Sequence, residues 1–344
     1  MHSFNSHNHR GRLDHLLFML PLFLLILACG GTALTQPAPA PTTQTEFPEA
    51  GSGTEPTQPA PAPTVQTGQL APGDATRSLV YAGIERTYVL HIPIGYDATR
   101  PTPLVLAFHG LGLDAEEMIR ISGLSEQADR SGFIVVYPNG TGEKKSWNGG
   151  HCCGEAAKDN LDDVGFVRAL IDELSALTNI DPDRVYATGF SNGAIMVYRL
   201  ACELSDRIAA IGPVGATQIQ DDQNACHPTR SVPVIHFHGT ADRLNPYDGG
   251  TTSAGFEFVA VDDAIGFWVE KNTCPKLQRT ELGTIQHDVY APCAQNSAIE
   301  LYRIINGEHA WPGGEAVSPQ VGEPTMEISA TPLLWEFFAA HPMP

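Results

Sequence analysis

The chain has 344 residues, 42% hydrophobic and 17% charged, with 33 Gly and 27 Pro. Lys and Arg total 20 against 39 Asp and Glu, a net charge of −19, which repels phosphate backbones and argues against a nucleic-acid partner. No sustained heptad pattern appears, and no apolar run reaches the roughly 20 residues that span a bilayer, so a coiled coil and a multi-spanning membrane protein are excluded.

The first elements read as an address. Arg10 and Arg12 precede an apolar run of 13 residues, Leu16 to Ala28, interrupted by Pro21. Its length fits the core of a signal peptide, so residues 1–28 are assigned to export. Ile26-Leu27-Ala28-Cys29-Gly30 resembles the bacterial lipoprotein box, which implies acylation of Cys29 and attachment to a membrane. Residues 29–76 read as a linker. From Thr32 to Arg77 there are nine Pro and ten Thr, and Phe47 is the one aromatic residue. An 11-residue unit occurs at Thr35–Thr45 and again at Thr57–Thr67, differing only at Thr43 and Val65. Such a stretch buries too little apolar surface to offset its ordering entropy, and its alternating Pro favours an extended stalk.

Residues 77–344 read as the folded domain. Leu79–Tyr81 and Tyr88–Ile92 are predicted strands around a turn at Gly83. Pro103–Phe108 is continuously apolar, as for a strand covered on both faces. Apolar spacing at Met118, Ile121 and Leu124 predicts one helix over Asp114–Ser131, stopped by Gly132. Phe133–Tyr137 is the next strand, followed by a long Gly-rich loop to Asp162. Asp163 is predicted to cap a helix running through Phe166, Leu170, Leu174 and Leu177. Arg184–Thr188, Ile208–Val214, Val232–Phe237 and Ile299–Ile305 are further strands. Asn192–Leu204, Asp262–Lys271 and Thr331–Ala340 are further helices. Strands alternating with helices predict an α/β domain with a mostly parallel sheet and helices on both faces. Chemistry is then expected at the carboxyl ends of the strands.

Gly189-Phe190-Ser191-Asn192-Gly193 matches G-x-S-x-G between a predicted strand and a predicted helix. That setting suits a nucleophilic serine lifted above a sheet on a sharp turn. A serine hydroxyl needs a base, and the base a carboxylate, in the chain order Ser, acid, His. Asp242, in His236-Phe237-His238-Gly239-Thr240-Ala241-Asp242, and His309, in Gly307-Glu308-His309-Ala310-Trp311, both follow predicted strands. Asp248, Asp262, Asp263 and His287 are rivals, while His236 and His238 read as hydrogen-bonded structural residues. The oxyanion is expected to meet the N–H of Asn192 and that of Leu111, with Gly112 next, in the loop after Pro103–Phe108.

Apart from Cys29, the cysteines are Cys152, Cys153, Cys202, Cys226, Cys274 and Cys293. An even number in an exported domain predicts three disulfides. Cys274 with Cys293 closes a short loop, and Cys152 and Cys153 are expected to reach separately to Cys202 and Cys226. No zinc spacing is present, and neither a metal nor an organic cofactor is expected.

From about Ser78 to Met343 the chain resembles the exported polyhydroxybutyrate depolymerases, feruloyl esterases and acetylxylan esterases. The resemblance rests on His109-Gly110, Trp147 with Cys152-Cys153, Asp162-Asp163-Val164-Gly165-Phe166, the Ser191 turn, His238-Gly239-Thr240 with Asp242, Tyr247 with Gly249-Gly250, and His309 with Trp311-Pro312-Gly313. It implies an α/β-hydrolase with Ser191, Asp242 and His309 as its triad. Glu308 departs from the small residue that commonly precedes this His. Trp147 and Trp311 are expected to wall an acyl site. The chain ends soon after the last predicted helix, leaving no room there for a polymer-binding module. Feruloyl or acetyl esters of plant polysaccharide are therefore expected ahead of polyhydroxyalkanoate oligomers. A non-catalytic ligand-binding lipoprotein is the alternative of another class.

Overall fold

A computed structural model of the protein describes residues 70–252 and 255–344. The expected signal peptide, Cys29 and most of the expected linker lie outside the described residues. The first strand nevertheless begins within the stretch assigned to the linker. β1 (Gly73–Tyr81) turns at Ala82 and Gly83 into β2 (Ile84–Ile92), antiparallel in register from Gly73–Ile92 to Tyr81–Ile84. β3 (Thr102–Phe108) follows, then helices α1 (Ala115–Ser122) and α2 (Leu124–Ser131), and β4 (Ile134–Pro138). The single helix expected here is two, because Gly123 takes φ +59 and ends the first by donating its N–H to Ile119.

A long loop carrying α3 (Gly154–Lys158) leads to α4 (Asp163–Leu177), β5 (Ile180–Phe190) and α5 (Asn192–Glu203). The cap of α4 is Asp162, whose carboxylate accepts from Gly165 N at 2.8 Å. Asp163, expected in that role, is instead buried and paired with Arg86 at 2.8 Å. β6 (Ala210–Val214), α6 (Gln220–Asn224) and β7 (Val234–Gly239) come next. A small ribbon, β8 (Gly250–Thr251) with β9 (Glu257–Phe258), precedes α7 (Val261–Lys271). The chain closes with β10 (Leu277–Leu282), β11 (Ile285–Tyr290), β12 (Ile299–Ile304) and α8 (Ala330–Ala340).

Ten strands form one sheet in the order β1-β2-β4-β3-β5-β6-β7-β12-β11-β10. Pairing is parallel from β4 through β12 and antiparallel at both flanks. Alternate residues of the central strands enter two cores. Leu104, Leu106 and Phe108 pack with Phe166, Leu170, Met196, Leu200 and Trp268 from α4, α5 and α7. Val105 and Ala107 pack with Met118, Ile121, Leu334 and Phe338 from α1 and α8. Each such large side chain contributes about 1.5–3 kcal/mol by leaving water. The β10–β11 hairpin was not among the expected strands.

Among the described residues three disulfides are present: Cys152–Cys153, Cys202–Cys226 and Cys274–Cys293. The last agrees with expectation. The double cysteine does not reach outward, because Cys202, at the end of α5, and Cys226, just past α6, have Cα atoms 5.0 Å apart and bond to each other. That leaves Cys152 and Cys153 to pair across their shared cis peptide bond.

Candidate active site

Ser191 stands between β5 and α5 with φ +56 and ψ −120. A non-glycine residue rarely holds positive φ, at a cost of about 1–3 kcal/mol. The surroundings enforce it. Ser191 N–H donates to Val214 O on β6 at 2.9 Å, while its carbonyl accepts from Ala194 N at 2.8 Å as the first turn of α5. The flanking glycines let the turn close: a Cβ on Gly193 would strike the Phe108 carbonyl, and one on Gly189 the Gly193 carbonyl.

The other two expected partners extend from the ends of β7 and β12. His309 Nδ1 donates to Asp242 Oδ2 at 2.7 Å, with both side chains almost wholly buried. Asp242 Oδ1 accepts from the N–H groups of Leu244 at 2.9 Å and Asn245 at 2.8 Å. The carboxylate is thus fixed in place and aimed at the imidazole, and the tautomer it selects leaves the His309 Nε2 lone pair free. The Phe190 ring packs 4.6 Å from the imidazole centroid. Ser191 and His309 line one cavity. No hydrogen bond joins Ser191 Oγ to the imidazole among the described residues.

His236 and His238 lie behind this pair. Tyr198 O–H donates to His236 Nδ1 at 2.9 Å, His236 Nε2 donates to His238 Nδ1 at 3.1 Å, and His238 Nε2 donates to Asn245 O at 2.8 Å. Every ring nitrogen has a partner, so no lone pair is left for a metal. Burial pushes both imidazoles below their ordinary pKa, His236 the further. Two rivals for the triad are engaged elsewhere, Asp262 with Arg303 at 2.6 Å and His287 with Glu300 at 2.8 Å, and neither Asp248 nor Asp263 lines the cavity. Glu308 is exposed and accepts from Glu323 N.

The loop after β3 is tied at each residue but one. His109 Nδ1 donates to Gly110 O at 2.7 Å, and its Nε2 accepts from Gly140 N at 2.9 Å. Burial pushes the His109 pKa down to about 4, so the ring is neutral and can accept. Gly112 N donates to Lys145 O, and Leu113 N to Gly110 O. The N–H of Leu111 has no acceptor among the described residues, and neither does that of Asn192. Both residues line the cavity with Ser191, which makes them free donors for a developing negative charge.

The cavity has a volume of about 470 Å³. Its apolar wall is Phe190, Ile195, Phe256, Phe258, Val317 and Val321. Trp147 and Trp311, expected there, are not part of it. Trp147 is wholly buried, edge-on to Phe108, with its indole N–H on His109 O at 3.0 Å. Trp311 is likewise buried, with its N–H on Thr331 Oγ1 at 3.0 Å. An indole that satisfies its one donor inside the core packs the domain and offers no face to a ligand.

Two contributions had no signal in the sequence. The Asn192 side chain accepts from Trp147 N at 2.8 Å and donates to Trp147 O at 3.1 Å, clamping the long loop to the start of α5. Asp163 accepts from Asn148 N at 2.8 Å while paired with Arg86, whose guanidinium lies 4.0 Å over the Phe166 ring. The Asp162–Phe166 block thus serves the loop's architecture.

Residues 86–228 match the family model described as Esterase PHB depolymerase. The Nocardia uniformis subsp. tsuyamanensis protein named "Putative esterase NocK" is 37% identical over 249 residues, covering 71% of this chain and 67% of that one. Feruloyl esterase B of Piromyces equi is 28% identical over 233 residues, 65% of this chain and 42% of its own length. Among solved structures, an acetyl xylan esterase from Aspergillus awamori superposes with a TM-score of 0.52 at 13% identity, over 69% of this chain and 94% of that one. That likeness is one of fold. The chain belongs to the PHB depolymerase family of esterases, carboxylic ester hydrolases of the α/β-hydrolase fold.

Proposed function

We propose that the protein hydrolyses esters through a Ser191–His309–Asp242 acyl-enzyme mechanism. The observation that carries this reading is the His309–Asp242 pair facing the same apolar cavity as a serine on a positive-φ turn. Ser191 Oγ attacks the ester carbonyl as His309 Nε2 takes its proton, and Asp242 stabilises the imidazolium. The N–H groups of Leu111 and Asn192 receive the tetrahedral oxyanion, each worth on the order of 3 kcal/mol in the barrier. His309 then protonates the departing alcohol, and water repeats the sequence on the acyl-enzyme. The serine–imidazole hydrogen bond forms when substrate fills the cavity, as such bonds tighten in the Michaelis complex.

The substrate we favour is a feruloyl or acetyl ester of plant polysaccharide. A relative named as a feruloyl esterase supports the feruloyl group, and so do aromatic walls at Phe190, Phe256 and Phe258. The family's description favours a second reading, polyhydroxybutyrate oligomers. Residues 1–28 would export the chain and Cys29 would carry lipid, with residues 29–76 as tether. Three disulfides suit an oxidising compartment. A fluorophosphonate should label Ser191, and a panel of methyl ferulate, acetylated xylan and hydroxybutyrate oligomers should rank the acyl groups. A folded protein that takes no label would reject the mechanism.

A further inference from the structure

The cavity's lining holds one permanently charged side chain, Arg243, and among the described residues no carboxylate. Arg243 follows Asp242, yet cannot pair with it: that carboxylate is buried and already accepts from His309, Leu244 N and Asn245 N. The N–H bonds of Leu244 and Asn245 to Asp242 fix the turn that carries Arg243, which is exposed and lines the cavity. Among the described residues no ion pair or hydrogen bond engages its guanidinium. Five other arginines, Arg120, Arg168, Arg184, Arg207 and Arg279, each sit on a carboxylate, and Arg100, exposed without such a partner among the described residues, is not part of this cavity's lining.

Charge balance makes this placement consequential. A protein of net charge −19 repels an anionic substrate at long range unless a local cation offsets that field. Beside apolar walls, a guanidinium attracts a carboxylate more strongly than in open water, and its fork matches the two oxygens. A neutral ester would gain nothing from it.

Resting on the esterase reading of this same cavity, we propose that Arg243 selects esters whose alcohol half carries a free carboxylate. Two sources share that chemistry. A hydroxyalkanoate oligomer leaves a hydroxy acid whose carboxylate is the chain end, and an acylated uronic acid carries its carboxylate on the sugar. In both, the carboxylate departs with the leaving group, so Arg243 acts on binding and orientation and takes no part in proton transfer.

The test compares matched pairs in the wild type, Arg243→Gln and Arg243→Lys. One pair is the hydroxybutyrate dimer and its methyl ester; the other is an acetylated methyl glucuronide and its glucoside. The wild type should favour the charged member of at least one pair by on the order of tenfold in kcat/KM, and salt should shrink the preference. Arg243→Gln should abolish it and Arg243→Lys should keep part of it. Preference on the dimer pair identifies the chain end as the source; preference on the sugar pair identifies the uronate. An unchanged ratio in Arg243→Gln, or no preference in the wild type while methyl ferulate is turned over, overturns the inference and leaves the esterase standing. Failure to hydrolyse any ester overturns both.

Discussion

Strands β3, β4, β6 and β7 are buried along their whole length, whereas β10 is exposed at all six residues. The centre is held by apolar side chains packed on both faces and by neutral histidines bonded to one another. The β10–β11 flank is held by charge and a covalent link. Arg279 grips Asp288 through two bonds of 2.5 and 2.6 Å, and Cys274–Cys293 ties the strand's approach to the far side of the hairpin. The free donors and the Ser191, Asp242 and His309 side chains all extend from central strands. The lesson is a division of labour: rigidity where a few tenths of an ångström matter, and solvated, replaceable contacts where the sheet ends.

Ser191→Ala gives the largest effect and tests the centre's chemistry alone. It should lower kcat on the order of a million-fold, and the melting temperature should hold or rise, since alanine removes no buried contact from the cavity side. Retained turnover of a chromogenic ester would place the nucleophile elsewhere.

Acid should then separate the two regions. His109, His236 and His238 stay neutral when folded because burial disfavours their charged forms. In the unfolded chain such imidazoles protonate near pH 6.5. Their contribution is therefore complete above about pH 6.5 and is lost as pH falls toward the folded value, about 4 for His109. For His109 alone that is on the order of 3 kcal/mol. The flank has the same sign but a lower pH window. Burial would raise the Asp288 carboxyl, but Arg279's hydrogen bonds outweigh it and hold the pKa below the ordinary value. Its stabilisation persists until the pH drops under the normal carboxylate range. Hydrogen exchange between pH 7 and 4.5 should show β3 and β7 losing protection first, relative to their values at neutral pH. Earlier loss at β10 and β11 would break the comparison.

This same division governs what the amino-acid order disclosed. Central strands announce themselves as unbroken apolar runs, and the turn at Ser191 as glycines around a serine, because burial and crowding leave few residue choices there. The positions of Asp242 and His309 follow once strand ends are known. Leu277–Leu282 carries Gln, Arg, Thr and Glu with no buried face, so no period marks it as a strand. Trp147 and Trp311 were misplaced because an indole's partner, a backbone carbonyl in one case and Thr331 in the other, is chosen by tertiary contact. Disulfide pairing failed at Cys152 and Cys153 for a similar reason: only the fold reveals that Cys202 and Cys226 are neighbours.

A cysteine pair sharpens the contrast next. Replacing Cys274 and Cys293 with serine opens a loop of sequence separation 19, which should cost about 3 kcal/mol. Urea unfolding would report this as a lower midpoint. Because the bridge lies on the flank, kcat on a small ester should stay within about twofold, a change of under 0.5 kcal/mol in the barrier. A large fall in kcat at temperatures where the variant remains folded would show that the flank positions the site.

The smallest effect belongs to Arg279→Ala. The Arg279 side chain is 42% exposed while Asp288 is 3% exposed, so the pair is half in water and screened by salt. An exposed pair contributes about 0–1 kcal/mol. Losing it would be worse if Asp288 were left alone, but Arg303 stands 3.5 Å from the same carboxylate and is itself fixed by Asp262 and Tyr247. The variant should therefore lose under about 1 kcal/mol, with the loss shrinking further at 0.5 M salt. A loss of several kcal/mol would mean that Arg303 cannot take over, that Asp288 is effectively a buried lone charge, and that the flank is as finely balanced as the centre.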